Sequence, residues 1–166
     1  SRGLGDVYKR QVMAFLYNIG IQAYHLAIQL AAPFNEKAAL LCKGRKEVWK
    51  KAAGIQRGEG RLVWFHAASL GEFEQGRPVI EALKAAEPAT QILLTFFSPS
   101  GYEIRKNYTG ADYILYLPGD TRRNAVRLIE KFRPDAAVFI KYEFWFHYLN
   151  ELNKRNIPVY LISAIF

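Results

Sequence analysis

Five short apolar runs, at residues 62–66, 92–97, 113–117, 136–141 and 159–164, alternate with segments of helical period. Runs of that length without polar alternation suit strands buried on both faces, and the spacing leaves room for a crossover helix between each pair. The pattern predicts an α/β fold, a doubly wound parallel sheet. Ala125, Leu128, Ile129 and Phe132 repeat at helical spacing, as do Trp145, Tyr148, Leu149 and Leu152, which assigns these aromatics to the core. Arg133-Pro134 and Ile157-Pro158 fall between a helix and the next strand, where proline's restriction of its predecessor fits. With 166 residues, 51% of them apolar, the chain fits one ordinary domain with a real core, and disorder is excluded.

A parallel sheet brings the carboxyl ends of its strands to one edge, so groups distant in sequence face one cleft. After the first run come His66, Ser69, Gly71 and Glu72; after the second, Ser98, Ser100 and Gly101. Asp120 and Thr121 follow the third, and Lys141, Tyr142 and Glu143 the fourth. Ser98, Ser100 and Asp120 are also good helix N-caps, and both readings stand. A helix start favours a charged carboxylate at Glu72. A general base instead gains proton affinity from burial or from a second carboxylate, and Glu143 is the candidate neighbour. Gly71 lets the backbone beside Glu72 approach closely or turn unusually. Pro78 allows two starts for the following helix: near Glu72, with a kink where Pro78 cannot donate to Glu74, or near Arg77 with proline in the first turn.

Ser69 lacks the glycine that a nucleophile elbow carries two residues earlier, which argues against covalent catalysis. His66 reads either as a satisfied strand-end histidine or as a ligand contact. No Gly-rich loop of the dinucleotide or Walker type occurs, although Ser98-Pro-Ser-Gly101 offers hydroxyls and amides to an anion. Cys42 is the single cysteine and nothing near it has metal-ligand spacing, so neither an internal disulfide nor a metal site is expected, and a reducing compartment is.

Residues 1–12 show no apolar period and are read as a non-native tail outside the fold; Arg2, Lys9 and Arg10 against Asp6 supply +2 of the formal +8 charge. Residues 13–34 carry no charge and form a helix of roughly the ~30 Å needed to span a hydrocarbon core. Asn18, Gln22, His25 and Gln29 make one polar stripe along it. Three readings stay open: a spanning anchor, a monotopic helix in the membrane interface, or a helix docked in a soluble core. Residues 35–60 hold Lys37, Lys43, Arg45, Lys46, Lys50, Lys51 and Arg57 against Glu36, Glu47 and Glu59, and predict a basic amphipathic helix and linker, set against the membrane or the domain. The final run, within 157–166, has no helix after it, so the 61–166 domain reads as truncated. A basic α/β module for RNA or another polyanion is the competing class. Scattered basic residues and core-spaced aromatics oppose it, and no nucleic-acid partner is expected.

Four motifs carry a family resemblance: His66-Ala-Ala-Ser-Leu-Gly-Glu72, Leu94-Thr-Phe-Phe-Ser-Pro-Ser-Gly101, Tyr116-Leu-Pro-Gly-Asp120 and Lys141-Tyr-Glu-Phe-Trp145. In this order and at similar spacing they resemble the 3-deoxy-D-manno-octulosonic acid (Kdo) transferases, which build the inner core of lipopolysaccharide. The resemblance covers residues 13–166, includes a membrane-associated amino-terminal helix, and matches the Rossmann-like amino-terminal half of a two-domain GT-B enzyme. It implies that this half binds a lipid A precursor, while CMP-Kdo binds a carboxyl-terminal domain that this chain lacks, leaving the isolated fragment inactive. It also implies an inverting transfer with Glu72 as base and Glu143 as a second candidate, for acceptor positioning or tuning. The candidate substrate-binding residues are His66, Ser69, Gly71, Ser98, Ser100, Gly101, Asp120 and Lys141. No metal or cofactor beyond the sugar nucleotide is expected, and the implied location is the cytoplasmic side of the inner membrane. A lipid-linked glycosyltransferase with another donor is the alternative.

Overall fold

A computed structural model describes residues 2–141 and 143–163, with side chains from Val12 onward. The chain divides into two compact units, Ser1–Cys42 and Lys43–Phe166. The first holds helix α1 (Arg2–Ala31) and the start of α2 (Glu36–Gly54). Helix α1 begins well before Met13, so the segment expected to stand outside the fold is helical. No proline interrupts residues 2–12, and each added residue gains a hydrogen bond once a helix is nucleated. It stops just before Pro33, whose ring disfavours helical backbone at its predecessor. Met13, Phe15, Leu16 and Leu30 are exposed on α1, as are Asn18, Gln22 and Gln29, whereas His25 of the expected polar stripe is partly covered. Among the described residues no helix is long and apolar enough to cross a membrane, which sets the spanning anchor aside.

Asn35 opens α2, its side chain accepting from Ala38 N at 3.1 Å, and Glu36 and Lys51 sit at the ends that suit their charges. The sheet unit begins at Lys43, inside this helix. The cause is apolar: Val48 and Ala52, one turn apart among the lysines, are buried in the core and Trp49 packs beside them.

Beyond α2 the chain alternates β1 (Leu62–Ala67), α3 (Leu70–Ala86), β2 (Gln91–Phe96), α4 (Pro99–Arg105), β3 (Tyr113–Tyr116), α5 (Arg122–Phe132), β4 (Ala136–Ile140), α6 (Phe146–Lys154) and β5 (Val159–Ile162). The strands form one parallel sheet in the order β3-β2-β1-β4-β5. All five predicted runs are strands, although Ala164, at the end of the last, lies outside the described residues. Every residue of β1, β2 and β4 is buried, as a sheet covered on both faces requires. On one face Trp64, Leu93, Leu115 and Phe139 pack with α5, α6 and the second half of α2. Trp64 there meets Phe139 and Tyr148 edge-on at 5.3 and 5.5 Å. On the other face Phe73 of α3 packs on Phe96, and Gly76 lets α3 rest on β4: a Cβ there would lie 2.3 Å from Ile140 Cδ1.

Candidate active site

From β1 the chain turns to β2 and β3 on one side, then crosses to β4 on the other, so the topological switch point lies between β1 and β4. In open α/β sheets a ligand crevice forms at such a point, outside the carboxyl ends of the strands. The segments that follow β1 and β4 carry Glu72, in the first turn of α3, and Glu143.

After β1, Ser69 is the N-cap of α3 in extended conformation (φ −141°, ψ 178°) and Glu72 stands in the first turn. The spacing is that of a capping box, but the Ser69 hydroxyl donates to the Glu72 carboxylate and makes no side-chain cap bond. Glu72 is thus held by one hydroxyl and half-buried. Gly71 is exposed, with only Ser69 Oγ, at 3.9 Å, near the place of a Cβ. Neither close packing nor a left-handed turn calls for glycine there, and the residue leaves the helix start beside Glu72 uncovered. Of the two starts that Pro78 allowed, the structure has the first: α3 runs unbroken through Pro78, which cannot donate to the Glu74 carbonyl.

After β4, Lys141 adopts the left-handed region (φ 64°) and its N–H donates to Ile162 O at 2.8 Å. Tyr142 lies outside the described residues. Glu143 is held by Trp145, whose Nε1–H donates to Oε2 at 2.7 Å, and the same oxygen lies 3.5 Å from His66 Nε2. An indole and an imidazole thus stand against this carboxylate. His66 is fully buried in β1, its Nδ1 3.1 Å from Thr95 O and 2.9 Å from Thr95 Oγ1. The Thr95 carbonyl only accepts, so Nδ1 carries the proton and Nε2 accepts from Trp145 Nε1 at 3.1 Å. His66 is a satisfied strand histidine and, in the same geometry, a support for the loop that bears Glu143.

Four further candidates follow β2 and β3. Ser98 caps α4 with extended backbone, its Oγ is 2.7 Å from Ser100 Oγ, and its N–H donates to Ala68 O at 2.8 Å, tying this loop to the one after β1. Gly101 is required by packing, because a Cβ would sit 2.3 Å from the Phe96 ring. Asp120 is buried and accepts from His147 N at 3.1 Å and Tyr148 N at 3.2 Å, so it caps α6 instead of its own helix. Thr121 fills that place, accepting from Asn124 N. Burial holds the Tyr148 phenol far above its ordinary pKa, and its hydroxyl donates to Pro118 O at 2.9 Å.

Sequence reasoning missed three contributors. Trp145, assigned to the core, does pack against it, yet it also stacks on Phe97 at 4.8 Å and turns its N–H into the site. Arg45 lies over the outer part of this stack, its guanidinium 4.8 Å from the Phe97 ring. Thr95 fixes the tautomer of His66. The available signal was the indole itself, which seeks an acceptor wherever it is buried. Among the described residues no three His, Cys, Asp or Glu side chains group as metal ligands.

A sequence model described as 3-Deoxy-D-manno-octulosonic-acid transferase (kdotransferase) matches residues 42–166, a span that opens where the sheet unit does. The chain is similar to the 3-deoxy-D-manno-octulosonic acid transferase of Chlamydia trachomatis serovar D, with 30% identity over 122 residues, 70% of this chain and 28% of that protein. Similarity extends to the protein of the same name from Aquifex aeolicus, 36% identical over 84 residues, covering 50% of this chain and 23% of the relative. The Haemophilus influenzae protein is 29% identical over 103 residues, 61% of this chain and 24% of its own length. The chain spans about a quarter of the length of these relatives.

Proposed function

The chain belongs to the 3-deoxy-D-manno-octulosonic-acid transferase family, and on that premise we propose that it is the acceptor-binding portion of an inverting glycosyltransferase. The enzyme moves Kdo from CMP-Kdo to a lipid A precursor in lipopolysaccharide core biosynthesis, with the donor bound by a second domain of a GT-B fold. Glu72 takes the proton of an acceptor sugar hydroxyl as its oxygen attacks the anomeric carbon. The bond from that carbon to the phosphate oxygen breaks, and CMP departs with the electron pair. Glycosidases need an acid as well as a base for a poor leaving group. A nucleoside monophosphate leaves as a stabilised anion, so one base with cationic or helix-dipole support suffices, and the reading calls on no cofactor.

The observation that carries this reading is the placement of the two Glu-bearing segments after β1 and β4, the strands that flank the switch point. Helix α1 supports a location at the inner membrane's cytoplasmic face: exposed Met13, Phe15, Leu16 and Leu30 suit a helix lying in the interface, and the basic segment after it suits anionic headgroups. The test is an assay of the full-length protein with a lipid A precursor and either CMP-Kdo or UDP-sugars. Kdo addition from CMP-Kdo alone is expected. Transfer from a UDP-sugar, or none from CMP-Kdo, overturns the reading.

A further inference from the structure

The carboxylate of Glu143 ends a train of hydrogen bonds that begins in the sheet. Trp145 has a single indole proton, and two acceptors share it: Glu143 Oε2 at 2.7 Å and His66 Nε2 at 3.1 Å. The second acceptor exists in the His66 tautomer whose Nδ1–H donates to the Thr95 carbonyl 3.1 Å away. His66 has no room to turn, being fully buried and edge-on to Phe139 at 5.7 Å. The indole plane is fixed in its turn by the stack on Phe97, at 4.8 Å and 30°. Each member from Thr95 to Trp145 therefore has its orientation set by the one more deeply placed, and the last is a largely buried carboxylate at the switch point.

We propose that Trp145 is the positioning residue of the site. Its N–H engages Oε2 of Glu143 and so presents Oε1 to the acceptor sugar, with His66 and Thr95 holding the indole in register. This rests on reading the β1/β4 edge as an acceptor site. A purely structural Trp145 would contribute only its ring, and Trp145→Phe separates the two roles because it retains the stack and removes the proton.

Two measurements decide the matter. In the 166-residue chain the indole N–H resonance of Trp145, one of three, is assigned by its loss in Trp145→Phe. Glu143→Gln and His66→Leu should each displace that resonance and leave the one from Trp49 in place; a resonance indifferent to both removes the train. In the full-length enzyme Trp145→Phe should lower kcat roughly 10- to 100-fold, the worth of one hydrogen bond to a charged group, while KM for the lipid acceptor moves less than about threefold. If Trp145→Phe fails to fold, His66→Leu takes its place, with the same split expected. A wild-type enzyme active with CMP-Kdo beside a Trp145→Phe variant of equal kcat overturns the positioning role alone. A wild-type enzyme inactive with CMP-Kdo overturns the functional reading and this proposal together.

Discussion

The carboxyl edge of the sheet has a flank, the loops after β2 and β3, and a centre, the loops after β1 and β4. All four carry polar side chains that the sequence nominated, but the two regions use them differently. On the flank Asp120 accepts from two backbone N–H groups of α6, and the Ser98 hydroxyl is paired with that of Ser100. At the centre Glu72 and Glu143 are held by side chains alone, Ser69 in one case and Trp145 in the other, and both keep part of their surface open to solvent. Standing at the edge is thus not enough to make a ligand group. What counts is whether the backbone has already claimed the side chain, because buried N–H groups must find acceptors before a substrate can.

The largest expected effect tests the centre. Glu72→Gln keeps the shape and removes the base, so kcat of the full-length enzyme should fall about 10²- to 10⁴-fold while the urea unfolding midpoint stays in place. Turnover within tenfold of wild type would leave the centre no different from the flank. Asp120→Ala makes the reciprocal test. It leaves two buried N–H groups at the start of α6 without their acceptor and should destabilise the protein by about 2–4 kcal/mol in a urea titration, with Asp120→Asn losing less because one oxygen remains. An Asp120→Ala variant of wild-type stability that had lost transfer would move this carboxylate into the site and dissolve the comparison.

The centre was more legible in sequence than the flank. Ser69 and Glu72 sit three residues apart, so their contact is local, and the strand that delivers them announces itself by length and apolarity. Asp120 is different: its partners, His147 and Tyr148, lie across two intervening elements, and composition offers only that aspartate is a good cap. The same limit hid Trp145. Its spacing with Tyr148 and Leu152 places one side of the ring in the core, and nothing local says that the indole N–H points to Glu143 and His66. In α2 the amphipathic pattern left two surfaces open, membrane or domain, and burial of Val48 and Ala52 places the second half of the helix in the core of the sheet unit.

Gly76 stands one turn beyond Glu72 in α3. Because α3 rests there on Ile140, the last residue of β4, the seating of this helix ties Glu72 to the strand that Lys141 follows. Gly76→Ala should therefore cost about 1–3 kcal/mol of stability through overpacking, and it should slow transfer more than an equally destabilising change in α5. Leu128→Ala in the α5 core is the matched control, read by urea titration and initial rate together. Equal slowing by both would show that the seating of α3 on β4 does not align the centre.

The smallest expected effect lies on the flank and is a matter of pH. His147 sits where Asp120 caps α6, and burial lowers its pKa below the ordinary 6.5 despite the opposing pull of the Asp120 carboxylate; Arg122 and Lys154 push the same way as burial. The unfolded chain takes up a proton at His147 near pH 6.5, and the folded one only at lower pH. As pH falls through 6.5 the unfolded state binds more protons, so this histidine's share of the unfolding free energy declines, and the decline stops once the folded side chain is protonated too. His147→Gln should flatten that part of a stability profile measured across the range. Asp120→Asn should extend the decline toward lower pH, since the charge that opposes burial is gone. A decline that does not lengthen in Asp120→Asn would mean that Asp120 acts on α6 through its hydrogen bonds alone, making the flank still more a matter of backbone satisfaction than of charge.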